Sequence, residues 1–107
     1  MLDEDLALRV RRLLTARDDV TEMRTFGGLA FLVGGRMAVA ASGRGGLMVR
    51  VPPARTAELL TEPGTRPMEM RGRETKGWIR VDAGAAQDDD ELARWVAIGV
   101  EQASTLV

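Results

Sequence analysis

The chain has no cysteine, no histidine and no tyrosine, and aromatic residues make up only 4% of its length. Absence of cysteine removes disulfides, thiolate nucleophiles and cysteine-held zinc or iron–sulfur centres. Without histidine there is no imidazole ligand and none of the commonest general base. No apolar run approaches the roughly 20 residues that cross a bilayer. The opening stretch MLDEDLALRVRR is acidic before it is basic and lacks an apolar core, so it does not read as a secretory leader, and the expectation is a cytoplasmic protein with no membrane partner. Charge of one sign is also lacking: 15 Lys and Arg face 16 Asp and Glu, a net charge of −1. No overall field draws the chain toward nucleic acid.

What the chain does have, over its 107 residues, is glycine in pairs between apolar runs. This length fits one domain, read as spanning residues 1–107, with a single core. In "TFGGLAFLVGGRMAVAASGRGGLMVRV", residues 25–51, each glycine cluster is flanked on both sides by strand-length segments. A phosphate-cradling loop instead needs its glycines between a strand and a helix N-terminus, where backbone N–H groups meet the helix dipole. The glycines therefore read as turns. Gly34-Gly35 sits where a tight hairpin needs positive φ. With that turn, Val33 faces Arg36, Phe31 faces Ala38 and Leu29 faces Ala40. The opposite face of the same hairpin then carries Ala30, Leu32, Met37, Val39 and Ala41, also apolar, so both faces need cover. A second copy of the chain is one candidate for the cover.

Around this hairpin the periodicity gives three helices. Asp3 caps the first, with Leu6, Val10, Leu13 and Leu14 as its apolar stripe and Asp5 paired with Arg9. Pro52-Pro53 opens a short second helix, ARTAELLT, closed by Glu62-Pro63-Gly64. Asp88 starts the third, with Glu91 completing a capping box. Its buried face carries Leu92, Trp95, Val96, Gly99, Val100 and Ala103, and mid-helix Gly99 implies close approach to a sheet. Strands are expected at Thr21–Phe26, within LAFLV, RMAVAAS and LMVRV, and then at RPMEM and WIRVD, with RGRETKG as the connecting loop. The fold class is α+β, two-layered and mainly antiparallel, in the order α, three or four strands, α, two strands, α.

Few residues invite chemistry. The run Asp88 to Glu91 has the donors of a hard-cation site, but acids at a helix start stabilise the macrodipole and read as a cap. Glu69 and Glu74 lack the paired arrangement of an acid–base mechanism, so no catalytic residue, metal or cofactor is assigned. Arg44, Arg71, Arg73, Lys76 and Arg80 with Trp78 form a candidate nucleic-acid surface of cations and one aromatic, although Glu69, Glu74 and Asp82 interleave with them. A small-ligand site would need a pocket around Arg50, Glu69 and Trp78.

The order Arg24-Thr25-Phe26-Gly27-Gly28-Leu29-Ala30-Phe31, Gly35-Arg36-Met37, Leu47-Met48-Val49-Arg50-Val51, Lys76-Gly77-Trp78 and Leu92-Ala93-Arg94-Trp95 resembles the TfoX/Sxy N-terminal domain family. The likeness runs from about Thr21 to Ala103; Thr25 stands where the family usually has methionine. The resemblance implies a two-layer, secretion-chaperone-like fold and kinship to bacterial regulators of natural competence, in which this domain is followed by a helical one. Here it reads as a stand-alone copy, and the family offers no catalytic residues to carry over. The resulting expectation is a non-enzymatic protein-interaction domain, self-associating or bound to another protein, with Leu32, Met37, Val39 and Arg50 as its surface. Nucleic-acid binding through the basic residues of 66–80 is the alternative.

Overall fold

The computed structural model describes residues 2–25 and 27–106. A six-stranded sheet, antiparallel at every pairing, carries all the helices on one side. Its strands are β1 (Val20–Thr25), β2 (Gly28–Val33), β3 (Arg36–Ala41), β4 (Leu47–Arg50), β5 (Thr65–Met70) and β6 (Arg73–Val81), in the spatial order β1-β2-β3-β4-β6-β5. The helices are α1 (Glu4–Leu13), α2 (Thr56–Leu59), entered through a 3-10 turn at Pro53–Arg55, and α3 (Asp89–Ser104). Every expected element is present. The expected end of the first strand, Phe26, lies outside the described residues.

Asp3 caps α1 by accepting from the Leu6 N–H at 3.1 Å, and Asp88 caps α3 by accepting from the Glu91 N–H at 3.0 Å. The reciprocal half of the expected capping box does not form, because the Glu91 carboxylate accepts instead from Arg94 at 3.2 Å. On α1 and its C-cap, Leu6, Ala7, Val10 and Leu14 are buried, whereas Leu13 stays 43% exposed. The expected Asp5–Arg9 pair is likewise replaced. Arg9 reaches across to α3, donating to Asp89 Oδ1 at 2.8 Å and to the Gln87 carbonyl at 2.9 Å, which ties the two long helices together.

The core lies between these helices and the inner face of the sheet. Leu29, Phe31 and Val33 of β2, Leu47 and Val49 of β4, and Ile79 and Val81 of β6 point inward at period two and meet Leu59, Leu92, Trp95 and Val96. Each such apolar side chain, once fully buried, contributes about 1.5–3 kcal/mol relative to exposure. Gly99 is where α3 crosses β3: a methyl group there would overlap the Ala38 carbonyl oxygen. Beneath β6, buried Thr56 accepts from the Gly77 N–H at 3.0 Å and so fixes α2 to the sheet.

Two local departures from the sequence reading matter for function. Gly34 and Gly35 do form the positive-φ turn, at 57° and 84°, and Val33 does face Arg36. Beyond them a β-bulge shifts the register, so that Phe31 faces Val39 and Leu29 faces Ala41, not Ala38 and Ala40. The extra residue is Ala38. Both Ala38 and Val39 are consequently in the helix-side core, and Val39 and Ala41 do not belong to the outer face. Second, RGRETKG is not a loop. The turn of that hairpin is Arg71-Gly72 alone, both at positive φ (55° and 79°), and β6 starts at Arg73. Arginine is an unfavourable occupant of such a turn, which hides it from a search for Asn-Gly or Gly-Gly pairs.

Candidate functional site

The helices cover one face of the sheet; on the other face the alternation leaves Leu32, Met37, Ala40, Met48, Arg50, Trp78 and Arg80. Part of this face is a groove of about 680 Å³. Met37, Ala40, Met48 and Trp78 line it from the central strands, Met68, Glu69 and Met70 from β5, and Ser42, Gly43 and Arg44 from the β3–β4 loop. Thioethers on unbranched side chains give such a surface an apolar lining that can repack around different shapes. A smaller hollow of about 170 Å³ lies beside Arg11, Leu14 and Glu22 and is spanned by the Arg11–Glu22 ion pair at 2.7 Å.

Cations mark the groove. Arg80 donates to Ser42 Oγ at 2.9 Å, and the same oxygen accepts from the Arg44 N–H at 3.1 Å. Burial, then the neighbouring Arg44 charge, pull the Arg80 guanidinium below its ordinary pKa, with Asp82 only partly offsetting them. Asp82 is itself engaged by Arg66 at 3.0 Å. Arg50 stacks its guanidinium 4.5 Å from the centroid of Trp78 and donates from Nε to the Met37 carbonyl at 2.6 Å. Burial and then Arg36 lower its pKa too. The helix side is different: Arg9, Arg11, Arg17, Arg55 and Arg94 all have carboxylate partners. Among the described residues neither Arg44, Arg50 nor Arg80 forms a salt bridge, and Glu69 is the only carboxylate lining the groove.

Of the residues singled out from sequence, Met37 lines the groove and Arg50 packs on its tryptophan. Leu32 faces Met37 across the strands but is not a lining residue, and Val39 is fully buried on the helix side. Arg44, Arg71 and Arg80 all line the groove, Arg71 from the β5–β6 turn and Arg80 from the far end of β6, whereas Arg73 and Lys76, exposed on β6, do not line it. Ser42, Met48 and Met68 line it as well. The acidic run Asp88 to Asp90 is a helix cap, and among the described residues no group of three or more acidic side chains is arranged to hold a metal. No helix among them is long and apolar enough to cross a membrane.

The sequence pattern of the TfoX N-terminal domain matches residues 12–103. The chain belongs to the TfoX N-terminal domain family. Its fold is shared by a crystal structure of a protein from Pseudomonas syringae, a structural-genomics target, with a TM-score of 0.66 at 11% identity, covering 90% of this chain and 97% of that one. At that identity the likeness shows the fold alone. No curated protein is found to match the chain. For this TfoX N-terminal domain the groove is therefore read from its own residues.

Proposed function

We propose that this TfoX N-terminal domain is a non-enzymatic binding module that holds a protein partner against the open face of its sheet. One observation carries the reading: a methionine-lined groove on a face that no helix among the described residues covers, in a chain whose other sheet face carries the helices and the core. Exposed apolar surface of this kind, rimmed by polar residues, marks interaction sites. The sheet edges are poor alternatives. Exposed β1 carries Glu22 and Arg24, and β5 is broken by Pro67 and a bulge, both devices that discourage strand addition. Ser42, the one lining hydroxyl held by arginine, accepts from Arg44 and Arg80 and has no general base bonded to it among the described residues, which favours binding over catalysis. Family membership supports a regulatory setting.

A photo-crosslinking residue in place of Met48, introduced in the native host, tests this. Discrete protein adducts from Met48 and none from the same group at Leu8, exposed on α1, are expected. An adduct of twice the chain mass identifies a second copy as the occupant. Equal crosslinking at the two positions, or none at either, rejects the groove as a protein-docking face.

The presence of Arg44, Arg71, Arg80 and Trp78 in the lining of one groove favours a second reading, nucleic-acid binding. It predicts affinity for single-stranded DNA or RNA that falls steeply with salt as counterions are released.

A further inference from the structure

The groove has two unlike parts, and their juxtaposition specifies more than the presence of a partner. Its lining is apolar at Met37, Met48, Met68 and Trp78. Beside this lies a polar corner in which the Arg80 guanidinium and the Arg44 N–H both point at Ser42 Oγ. Arg80 is partly withdrawn from water there and has no acidic partner, its nearest candidate Asp82 being held by Arg66. A guanidinium so placed has lost hydration with only a partial offset from the charge of Asp82, and an incoming carboxylate would restore the balance through charge-assisted hydrogen bonds. Resting on the docking reading above, we infer that the occupant of the groove is a protein segment in which acidic and apolar side chains alternate or neighbour each other, one carboxylate seating between Arg44 and Arg80 and apolar side chains resting on the methionines.

Charge complementarity carries this choice. Arg44, Arg71 and Arg80 line the groove against a single carboxylate, Glu69, so the site as built attracts an anion. A phosphate backbone would use the cations and leave the methionine lining without a counterpart. An extended or helical segment with leucine and glutamate side chains uses both. Bidentate capture of a carboxylate by arginine also fixes the register of the bound segment.

The probe is a fluorescein-labelled peptide of about a dozen residues with leucine and glutamate in alternation, titrated by anisotropy into the full chain; glutamine and lysine versions and a single-stranded oligonucleotide serve as comparisons. The glutamate peptide is expected to bind at least about tenfold more tightly than the glutamine peptide, a difference of about 1.4 kcal/mol, with no measurable binding of the lysine peptide. The double variant Arg44→Gln/Arg80→Gln is expected to bring the glutamate peptide down to the glutamine peptide's affinity while leaving the latter unchanged. Arg80→Lys retains the charge, serves as a folding control by circular dichroism, and keeps part of the preference. Equal affinity for the three peptides, no binding of the glutamate peptide up to about millimolar concentration, or tighter binding of the oligonucleotide lost in the same double variant overturns the inference. If Met48 still crosslinks a protein in cells while the peptides show no preference for acid, the docking reading stands and this one falls.

Discussion

The guanidinium carbon of Arg50 lies over Trp78, 4.5 Å from the ring centroid, while its Nε donates to the Met37 carbonyl at 2.6 Å. One side chain thus joins β3, β4 and β6 where the β3–β4 ladder, whose last pair is Val39 with Val49, has already ended. A cation over an aromatic ring contributes roughly 0.5–2 kcal/mol, and a hydrogen bond from a charged donor about 1.5–3 kcal/mol. Both are shared with water in the unfolded chain and in part in this half-exposed site.

Arg50→Ala is accordingly expected to lower stability by about 1–2 kcal/mol in urea denaturation, a melting-temperature drop of several degrees for a domain of this size. Arg50→Lys should recover less than half of it, since an ammonium cannot both stack as a plane and donate sideways. Full recovery by lysine would show that charge alone matters at this position.

Gly99→Ala should destabilise in spite of alanine's helix preference of about 1 kcal/mol. The added methyl would meet the Ala38 carbonyl oxygen, which belongs to a sheet backbone and cannot swing away. Overpacking of this sort costs about 1–3 kcal/mol, so the net change expected in guanidinium denaturation is a loss of up to about 2 kcal/mol. A gain in stability would mean that α3 stands farther from β3.

Arg71→Asn is expected to act in the other direction. Arg71 sits at φ 55° in a turn whose next residue is Gly72 at 79°, and a non-glycine, non-asparagine residue there costs roughly 1 kcal/mol. Calorimetry should show a higher melting temperature for the variant, by about 0.5–1 kcal/mol of stability. A lower one would mean that the Arg71 side chain supports the fold more than its backbone strains it.

These sites also show what can be read in advance and what cannot. Asp3, Asp88 and Gly99 were legible because caps and close approaches leave a mark at a single position. Gly34-Gly35 was legible because turn geometry is local. Register beyond that turn was not: Ala38 and its neighbours Ala40 and Ala41 are so alike that nothing in them marks one as the bulge, and the slip moved Val39 from the outer face to the core. Arg71-Gly72 escaped because a basic residue occupies a position where glycine or asparagine is usual. The groove was half visible. Met37, Arg44, Trp78 and Arg80 could each be singled out, but their meeting depends on β6 entering between β4 and β5, a long-range pairing that no local pattern encodes.

Acid should weaken the fold partly through the Arg11–Glu22 pair. The Arg11 guanidinium, bonded at 2.7 Å and 2.9 Å, holds the Glu22 carboxyl below its ordinary range. A carboxylate with a depressed folded-state pKa binds its proton more readily in the unfolded chain, so its contribution is present above the unfolded value of about 4.3 and disappears as pH falls through the lower folded value. Denaturation midpoints taken between about pH 6 and pH 3 should fall less steeply for Glu22→Gln than for the parent. The difference should shrink in high salt, because the pair is exposed. Identical slopes would remove this pair from the account of acid sensitivity.

Packing on the inner face of the sheet puts both long helices, the first and last elements of the described chain, in the layer behind it, where Arg9 and Asp89 link them. For anyone fixing this protein to a sensor chip or a bead, an exposed position on α1 or α3, such as Leu8, can therefore serve as the tether. Attached by its back, the molecule turns its methionine trough outward to whatever flows past.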